Sequence, residues 1–375
     1  MVAVPSRGCA TLADAEAAVF VGHGRPIEFR SYPLPTVEPG AILVQVKMAS
    51  ICGTDLHIWH GVRKPPLPII MGHEAMGVVE TLGRGVTKDS GGKPLAEGDR
   101  VTWSYVWTCG TCHYCAILKE PASCANRIAY GVGIGCEEPP HLNGGFSEYI
   151  YLRPRTTVFK VPASLPDEVI VPVNCALVTM VHVTDEARIR VNENVVVQGT
   201  GPLGLFAAIL AREKGAGQVI ALDASASRLA FAEAFGVDHT VNIAGKSEED
   251  VAKEIKDLTD GIGADLVIEA TGVPQAIPAG LKLLREGGRY LTIGPIFQGA
   301  VASVDLFNLI FRRLSLIGVA RNDAGHLREA IRFLERTYAK YPYDKVVGAR
   351  YRLAEIEKAF TAVEERRVMR AALIP

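Results

Sequence analysis

Residues 194–223, NVVVQGTGPLGLFAAILAREKGAGQVIALD, decide the reading of this chain. An apolar run leads into Gly199-x-Gly201-x-x-Gly204, a helical stretch follows, and a second apolar run ends on Asp223. Three glycines at that spacing are weak on their own. In this setting each answers a separate need. Gly199 allows a tight turn after the strand, Gly201 allows close approach of backbone N–H groups to a pyrophosphate, and Gly204 allows close packing of helix on strand. Pro202 suits a first helical position, with Leu203 beside it, and the helix N-terminus adds positive partial charge where phosphates would sit. Asp223 lies about 20 residues on, where an acid hydrogen-bonds the adenosine ribose. Its carboxylate repels a 2′-phosphate, which favours NAD over NADP. Arg228, able to stack on the ribose or reach a phosphate, keeps NADP open. The alternative is a packing glycine loop with a helix-capping Asp. It is outweighed because strand, loop, helix, strand and acid occur in order.

From about residue 177, strand-like runs (QVIALD, ADLVIEATG, RYLTIG, LSLIGV) alternate with helical stretches. That alternation predicts an α/β unit, a doubly wound parallel sheet with helices on both faces. Residues 1 to about 175 are instead rich in Pro and Gly, with short β-type runs such as AILVQVKM and GFSEYIYL, and read as a small β-rich unit. The first fifteen or so lack strand pattern and read as a loose N-terminal arm. From about 321 the helical segments GHLREAIRFLERTYA and LAEIEKAFTAVEER precede AALIP. With 375 residues, two domains are the natural expectation.

Lys plus Arg number 40 and Asp plus Glu 41, a net charge of −1, which gives no field to draw nucleic acid or an anionic membrane. The pairs Arg312-Arg313 and Arg366-Arg367 are too small to change this. No apolar run reaches the ~20 residues of a membrane span. The N-terminus lacks a charged start followed by an apolar block, so the expected location is cytoplasmic.

The cysteines are Cys9, Cys52, Cys109, Cys112, Cys115, Cys124, Cys136 and Cys175. In a reducing compartment, clustered cysteines bind metal more often than they pair. Cys109, Cys112, Cys115 and Cys124, spaced C-x2-C-x2-C-x8-C, can close a tetrahedral zinc site with no open position, a structural role. Cys136 is a spare that could compete as fourth ligand. A second, scattered set lies in ICGTDLHIWH (Cys52, Thr54, Asp55, His57), MGHEAMG (His73, Glu74) and NCALVTMVHV (Cys175). Two thiolates and one imidazole leave zinc a position for substrate. Singly, each of these residues is more often a satisfied core residue.

Together these residues resemble the zinc-dependent, medium-chain alcohol dehydrogenases, from AAVFVGHG to the C-terminus. The resemblance rests on CGTDLH at 52–57, GHE at 72–74, the four-cysteine lobe, GGFSEY at 144–149 and GTGPLG with Asp223. It implies a GroES-like catalytic domain over 1–176, carrying a zinc lobe at 105–130. A Rossmann cofactor domain would span 177–320, with a return to the catalytic part over 321–375. It also implies two zinc ions per chain and NAD. Cys52, His73 and Cys175 would hold the catalytic zinc with Glu74 beside it. Asp55 would accept the other N–H of His73, Thr54 would take the alcohol proton, and His57 would pass it on. Relatives acting on polyols usually carry an acid where this chain has Cys175.

The gap from Cys115 to Cys124 is one residue longer than in the commonest form, and TKDSGGKPLAEGDRV reads as a surface hairpin. Trp59, Trp103, Tyr105 and Trp107 are candidates to wall the substrate cleft, Tyr105 and Trp59 foremost. Arg370 is a candidate for a cofactor phosphate, a surface cation being the alternative. The expected activity is hydride transfer between NAD and a small-molecule alcohol, secondary and bulky or cyclic. A threonine- or polyol-type dehydrogenase is the rival, and a non-catalytic NAD(P)H-binding relative or a zinc interaction module stand further off. The resemblance implies a homodimer or homotetramer joined edge to edge through Rossmann sheets.

Overall fold

The computed structural model describes residues 14–294 and 297–375. The expected N-terminal arm and Cys9 fall outside these residues, apart from its last positions, where the strand Asp14–Phe20 already begins.

The decisive stretch folds as it reads. Strands Asn194–Gln198 and Gln218–Asp223 flank the helix Pro202–Glu213. They lie in a six-stranded, all-parallel sheet ordered His239–Asn242, Gln218–Asp223, Asn194–Gln198, Ala264–Glu269, Leu284–Thr292, Ser315–Gly318. Helices cover both faces, so the central strands are apolar on both sides, and Val195, Val196 and Val197 are wholly buried. The strand order reverses direction between Asn194–Gln198 and Ala264–Glu269. The crevice outside the carboxyl ends of those strands is where such sheets bind dinucleotides.

The β-rich unit is antiparallel through most of its pairings. Val158–Lys160, Arg100–Trp103, Glu74–Leu82 and Ile42–Ser50 are successive neighbours in one sheet, with Tyr149–Leu152 also on Ile42–Ser50. The chain then returns to it from the far terminus. Arg370–Ile374 pairs antiparallel with Ile42–Ser50 and parallel with Val347–Arg352. Strand pairing thereby lays Arg370 beside the residues that lead into Cys52. Residues 87–101 form a turn about Asp89, which accepts from the N–H groups of Gly91, Lys93 and Lys160, with one bridge between Lys88 and Pro94.

The largest core cluster joins the helices Val178–Ala187, Pro202–Glu213 and Ala324–Thr337 to the sheet. Among the described residues one helical run, Asp167–Ala187, is long and apolar enough to cross a membrane; it is 72% buried in that core. At the sheet's other end the edge strand Ser315–Gly318 lies open, with the helix Leu306–Phe311 nearby showing Leu306, Phe307, Ile310 and Phe311 at 64–70% exposure.

A Cβ on Gly204 would stand 1.8 Å from the Gly199 carbonyl oxygen. Gly204→Ala should therefore lower stability by about 1–3 kcal/mol through forced separation of helix and strand; an unchanged melting temperature would contradict this packing.

Candidate active site

Cys52 occupies the N-cap of the helix Gly53–Trp59, and the Asp55 carboxylate in its first turn accepts the Cys52 backbone N–H at 2.8 Å. The other Asp55 oxygen stands 3.4 Å from His73 Nδ1. His73 follows Gly72, whose φ of +88° and contact with Phe146, 2.4 Å from a would-be Cβ, leave room for glycine only. Cys175 lies in the π turn Val173–Leu177. From there its Sγ comes within 3.3 Å of His73 Nε2. One ligand atom each from Cys52, His73, Glu74 and Cys175 lies within 4.8 Å of all the others. Ligand atoms about 2.0–2.3 Å from a tetrahedral ion stand about 3.5–3.8 Å apart, so this donor set fits zinc.

The electrostatics agree with a cation site. The Cys175 hydrogen bond, with Arg370 and His73 nearby, holds the Cys52 thiol well below its ordinary range, and the same pairing pushes Cys175 up. Burial pulls His73 down, but the Asp55 carboxylate and Cys52 outweigh it and raise the imidazole above its usual value. Burial pushes Glu74 up to about 8 against the pull of Arg370. Asp55 Oδ1, His73 Nδ1, Glu74 Oε1 and Arg370 Nε are buried without a well-aligned hydrogen bond among the described residues. Of these, Asp55 Oδ1 and His73 Nδ1 face each other at 3.4 Å, and Glu74 Oε1 is the orphaned acceptor that a cation would satisfy.

Arg370 is the residue whose setting differs most from expectation. It is 3% exposed, which removes the surface-cation alternative. Its Nη1 donates to Glu74 at 2.8 Å and to the Ile51 carbonyl at 3.2 Å. Ser50 Oγ donates to the same Glu74 oxygen at 2.5 Å. No motif in the sequence signals this buried pair; the strand pairing across the termini creates it.

Thr54, 8% exposed, and His57 lie on the helix that Cys52 caps. Burial pulls the His57 pKa down, and its ring lies 6.1 Å from Phe297, a residue that follows the parallel-sheet strand Leu284–Thr292. Of the four aromatic candidates, Tyr105 reaches the cluster, its ring 5.2 Å from that of His73. Trp59 stacks on Phe360 at 4.9 Å, Trp103 is buried in the core, and Trp107 donates to the Pro154 carbonyl under Arg155. These three act as packing.

The four lobe cysteines also have ligand atoms within 4.8 Å of one another. The Cys112 and Cys109 sulfurs stand 3.9 and 3.6 Å from Cys124 Sγ, close to the spacing of a tetrahedral thiolate site. Backbone N–H groups of Thr111 and Cys112 hold Cys109 down at about 5, whereas burial pushes Cys115 up to about 12. The expected competitor Cys136 lies elsewhere, buried and hydrogen-bonded to the Tyr32 hydroxyl at 3.4 Å.

In the glycine loop, Gly199 has φ +89° and presses on Ala270 and Thr271. Gly201, by contrast, faces open space at the N-cap ahead of Pro202, with Leu203 next and packed on the core. Asp223 accepts from Thr200 N–H and Oγ1 with one oxygen and from Ser225 N–H with the other, each at 2.9 Å. It therefore braces the loop from the end of its own strand. Arg228 is half-buried in its field.

Residues 38–163 match the alcohol dehydrogenase GroES-like domain family, and residues 202–336 match the zinc-binding dehydrogenase family. A 5-exo-hydroxycamphor dehydrogenase from Pseudomonas putida is 31% identical over 93% of this chain and 96% of its own length. An L-threonine 3-dehydrogenase from Pyrococcus furiosus is 33% identical over 87% of this chain and 89% of its own. The crystal structure of an alcohol dehydrogenase from Thermotoga maritima, 35% identical, superposes with a TM-score of 0.92 over 96% of this chain and 99% of that one. The chain belongs to the zinc-dependent, medium-chain alcohol dehydrogenase family. It is an NAD(P)-dependent, zinc-binding dehydrogenase of alcohols, with the GroES-like and Rossmann-type units of that family.

The four lobe cysteines form a donor group separate from that of Cys52, His73, Glu74 and Cys175. Cys112→Ala should lower the melting temperature and the zinc content by one ion per chain while leaving NADH binding nearly intact; unchanged zinc content would refute a metal there.

Proposed function

We propose that the enzyme interconverts a bulky or cyclic secondary alcohol and its ketone with NAD, and that each chain holds two zinc ions, one catalytic and one structural. Convergence of Cys52, His73 and Cys175 from three distant segments onto one point carries this reading. At that point zinc would supply a Lewis acid that polarises the substrate oxygen, and the nicotinamide would carry the hydride. The remaining roles belong to side chains. Asp55 faces His73 Nδ1, which fixes the tautomer and leaves Nε2 as the ligand. Thr54 takes the alcohol proton. His57, whose pKa burial lowers, hands it to solvent. Glu74 lies beside the ion, its buried charge balanced by Arg370. The second zinc sits in the lobe on Cys109, Cys112, Cys115 and Cys124.

We assign residues 1–176 and 321–375 to the catalytic body and 177–320 to the cofactor body. The pairing of Arg370–Ile374 with Ile42–Ser50 supports that return. Gly199, Gly201, Pro202, Leu203, Gly204, Asp223 and Arg228 form the dinucleotide cradle, and Arg370, paired with Glu74, is a further phosphate candidate. The open edge strand Ser315–Gly318 and the apolar helix Leu306–Phe311 support a homodimer or homotetramer through sheet edges. Light scattering that returns a monomer at micromolar concentration would overturn this. Thiols grouped for metal rather than for disulfides accord with a reducing, cytoplasmic setting.

Asp223→Ser should move the ratio of kcat/KM for NAD over NADP toward NADP; an unmoved ratio means that Asp223 does not read the ribose. The substrate class is tested by following NADH absorbance over primary, cyclic, terpenoid and polyhydroxylated alcohols and threonine. The highest kcat/KM is expected on a bulky secondary alcohol, and a preference for threonine or a polyol transfers the enzyme to the rival reading. His73→Ala should abolish turnover with the best substrate and leave NADH binding in place; retained turnover would refute the metal mechanism.

A further inference from the structure

The three candidate ligands of the catalytic metal come from separate elements, and their spacing needs ties between those elements. Asp55 ties two of them, since it accepts the Cys52 N–H and faces His73 Nδ1. Cys175 is a different case. It sits in a single π turn whose Ala176 and Leu177 N–H groups share the Pro172 carbonyl, at 3.0 and 3.4 Å. A π turn carries one residue more than an α turn, and such turns gather at functional sites.

The residue before Cys175 supplies the missing tie. Asn174 is 1% exposed. Its Nδ2 lies 3.3 Å from the His73 carbonyl, 3.3 Å from that of Ala75 and 3.2 Å from that of Trp103. Three acceptors converge on a group with two hydrogens, so the amide has one orientation; turned over, its oxygen would face three carbonyls. Its Oδ1 has no partner among the described residues. Among the described residues, no other side chain of the turn Val173–Leu177 makes a hydrogen bond to the His73 segment apart from the contact of Cys175 Sγ with His73 Nε2 itself.

We propose that Asn174 is a positioning residue for the catalytic metal: by holding the main chain of His73, it sets Cys175 Sγ at ligand distance from His73 Nε2. The inference rests on the reading of Cys52, His73 and Cys175 as a zinc set. Metal sites tolerate ligand displacements of only about 0.2 Å, so a turn freed from the His73 main chain binds metal poorly even when every ligand remains.

The test uses the full chain loaded with zinc or with cobalt(II), as wild type, Asn174→Ala and Thr102→Val. Thr102 Oγ1 is also wholly buried and donates to the Ala75 carbonyl at 3.3 Å, but it has no link to Cys175. It therefore controls for loss of a buried donor as such. The readouts are zinc per chain after dialysis against a graded chelator and the thiolate-to-cobalt charge-transfer absorption. Asn174→Ala should lower the affinity of one of the two ions by about 10–100-fold and alter the cobalt spectrum, while the lobe ion is retained. Thr102→Val should keep both ions and the wild-type spectrum. Wild-type affinity and spectrum in Asn174→Ala, or equal metal loss in Thr102→Val, would overturn the proposal. Should Asn174→Ala fail to fold, Asn174→Ser is read by the same criteria. A wild-type chain that binds only the lobe ion would overturn the zinc reading itself, whereas two ions in wild type and no change in Asn174→Ala overturn the positioning role alone.

Discussion

Two sulfurs, an imidazole nitrogen and a carboxylate oxygen share a volume in which any two are less than 4.8 Å apart. Glu74, Asp55 and His73 are all at most 2% exposed there. Brought together without a cation, such anionic donors repel one another in a medium that screens poorly. Much of the surrounding structure answers that constraint. Arg370 places a fixed positive charge on Glu74, and Ser50 adds a hydrogen bond to the same oxygen. Removing one partner of a buried ion pair leaves an uncompensated charge, at a cost of about 3–5 kcal/mol. The return of the C-terminal strand to the β-rich unit is therefore an electrostatic requirement of the site as much as a closure of the sheet.

The same strand explains how ligands far apart in sequence meet. Ile42–Ser50 pairs with both Glu74–Leu82 and Arg370–Ile374. Ser50 lies opposite Glu74 in one pairing and opposite Ala372 in the other. One strand end thus carries the chain into Cys52, aligns His73 and Glu74 across from it, and brings Arg370 underneath. Register, once fixed by the buried faces of these strands, fixes the site.

What could be read from the sequence was local. The glycine loop was legible because each glycine answers a contact within the strand–turn–helix unit itself, down to the overlap a Cβ on Gly204 would make with Gly199. The four-cysteine lobe was legible because its donors lie in one short segment whose spacing few other purposes produce. The scattered set was legible mainly through its resemblance to a family, since nothing in the spacing of Cys52, His73 and Cys175 says that they meet. The pairing of Arg370 with Glu74 and Ile51 was not legible: the latter contact spans 319 positions and depends on strand pairing that no short motif encodes. Aromatic residues gave the weakest signal. Trp59 and Tyr105 fit a cleft wall equally well as letters, and only packing separates a ring stacked on Phe360 from one set against His73. Cys136 likewise looked like a competitor by its distance in sequence, whereas the fold turns it toward Tyr32.

The two metal sets show how one residue type serves two ends. In the lobe, backbone and Asn126 N–H groups donate directly to Cys109 and Cys124 sulfurs. Those bonds stabilise thiolate charge, and four sulfurs would close the coordination sphere of a zinc ion, leaving no position for chemistry. At the buried set, the donors arrive from separate elements, and Asp55 and Asn174 add hydrogen bonds to the main chain around them. The two sets thus differ in how their donors are brought together: within one short segment in the lobe, across separate elements in the buried set.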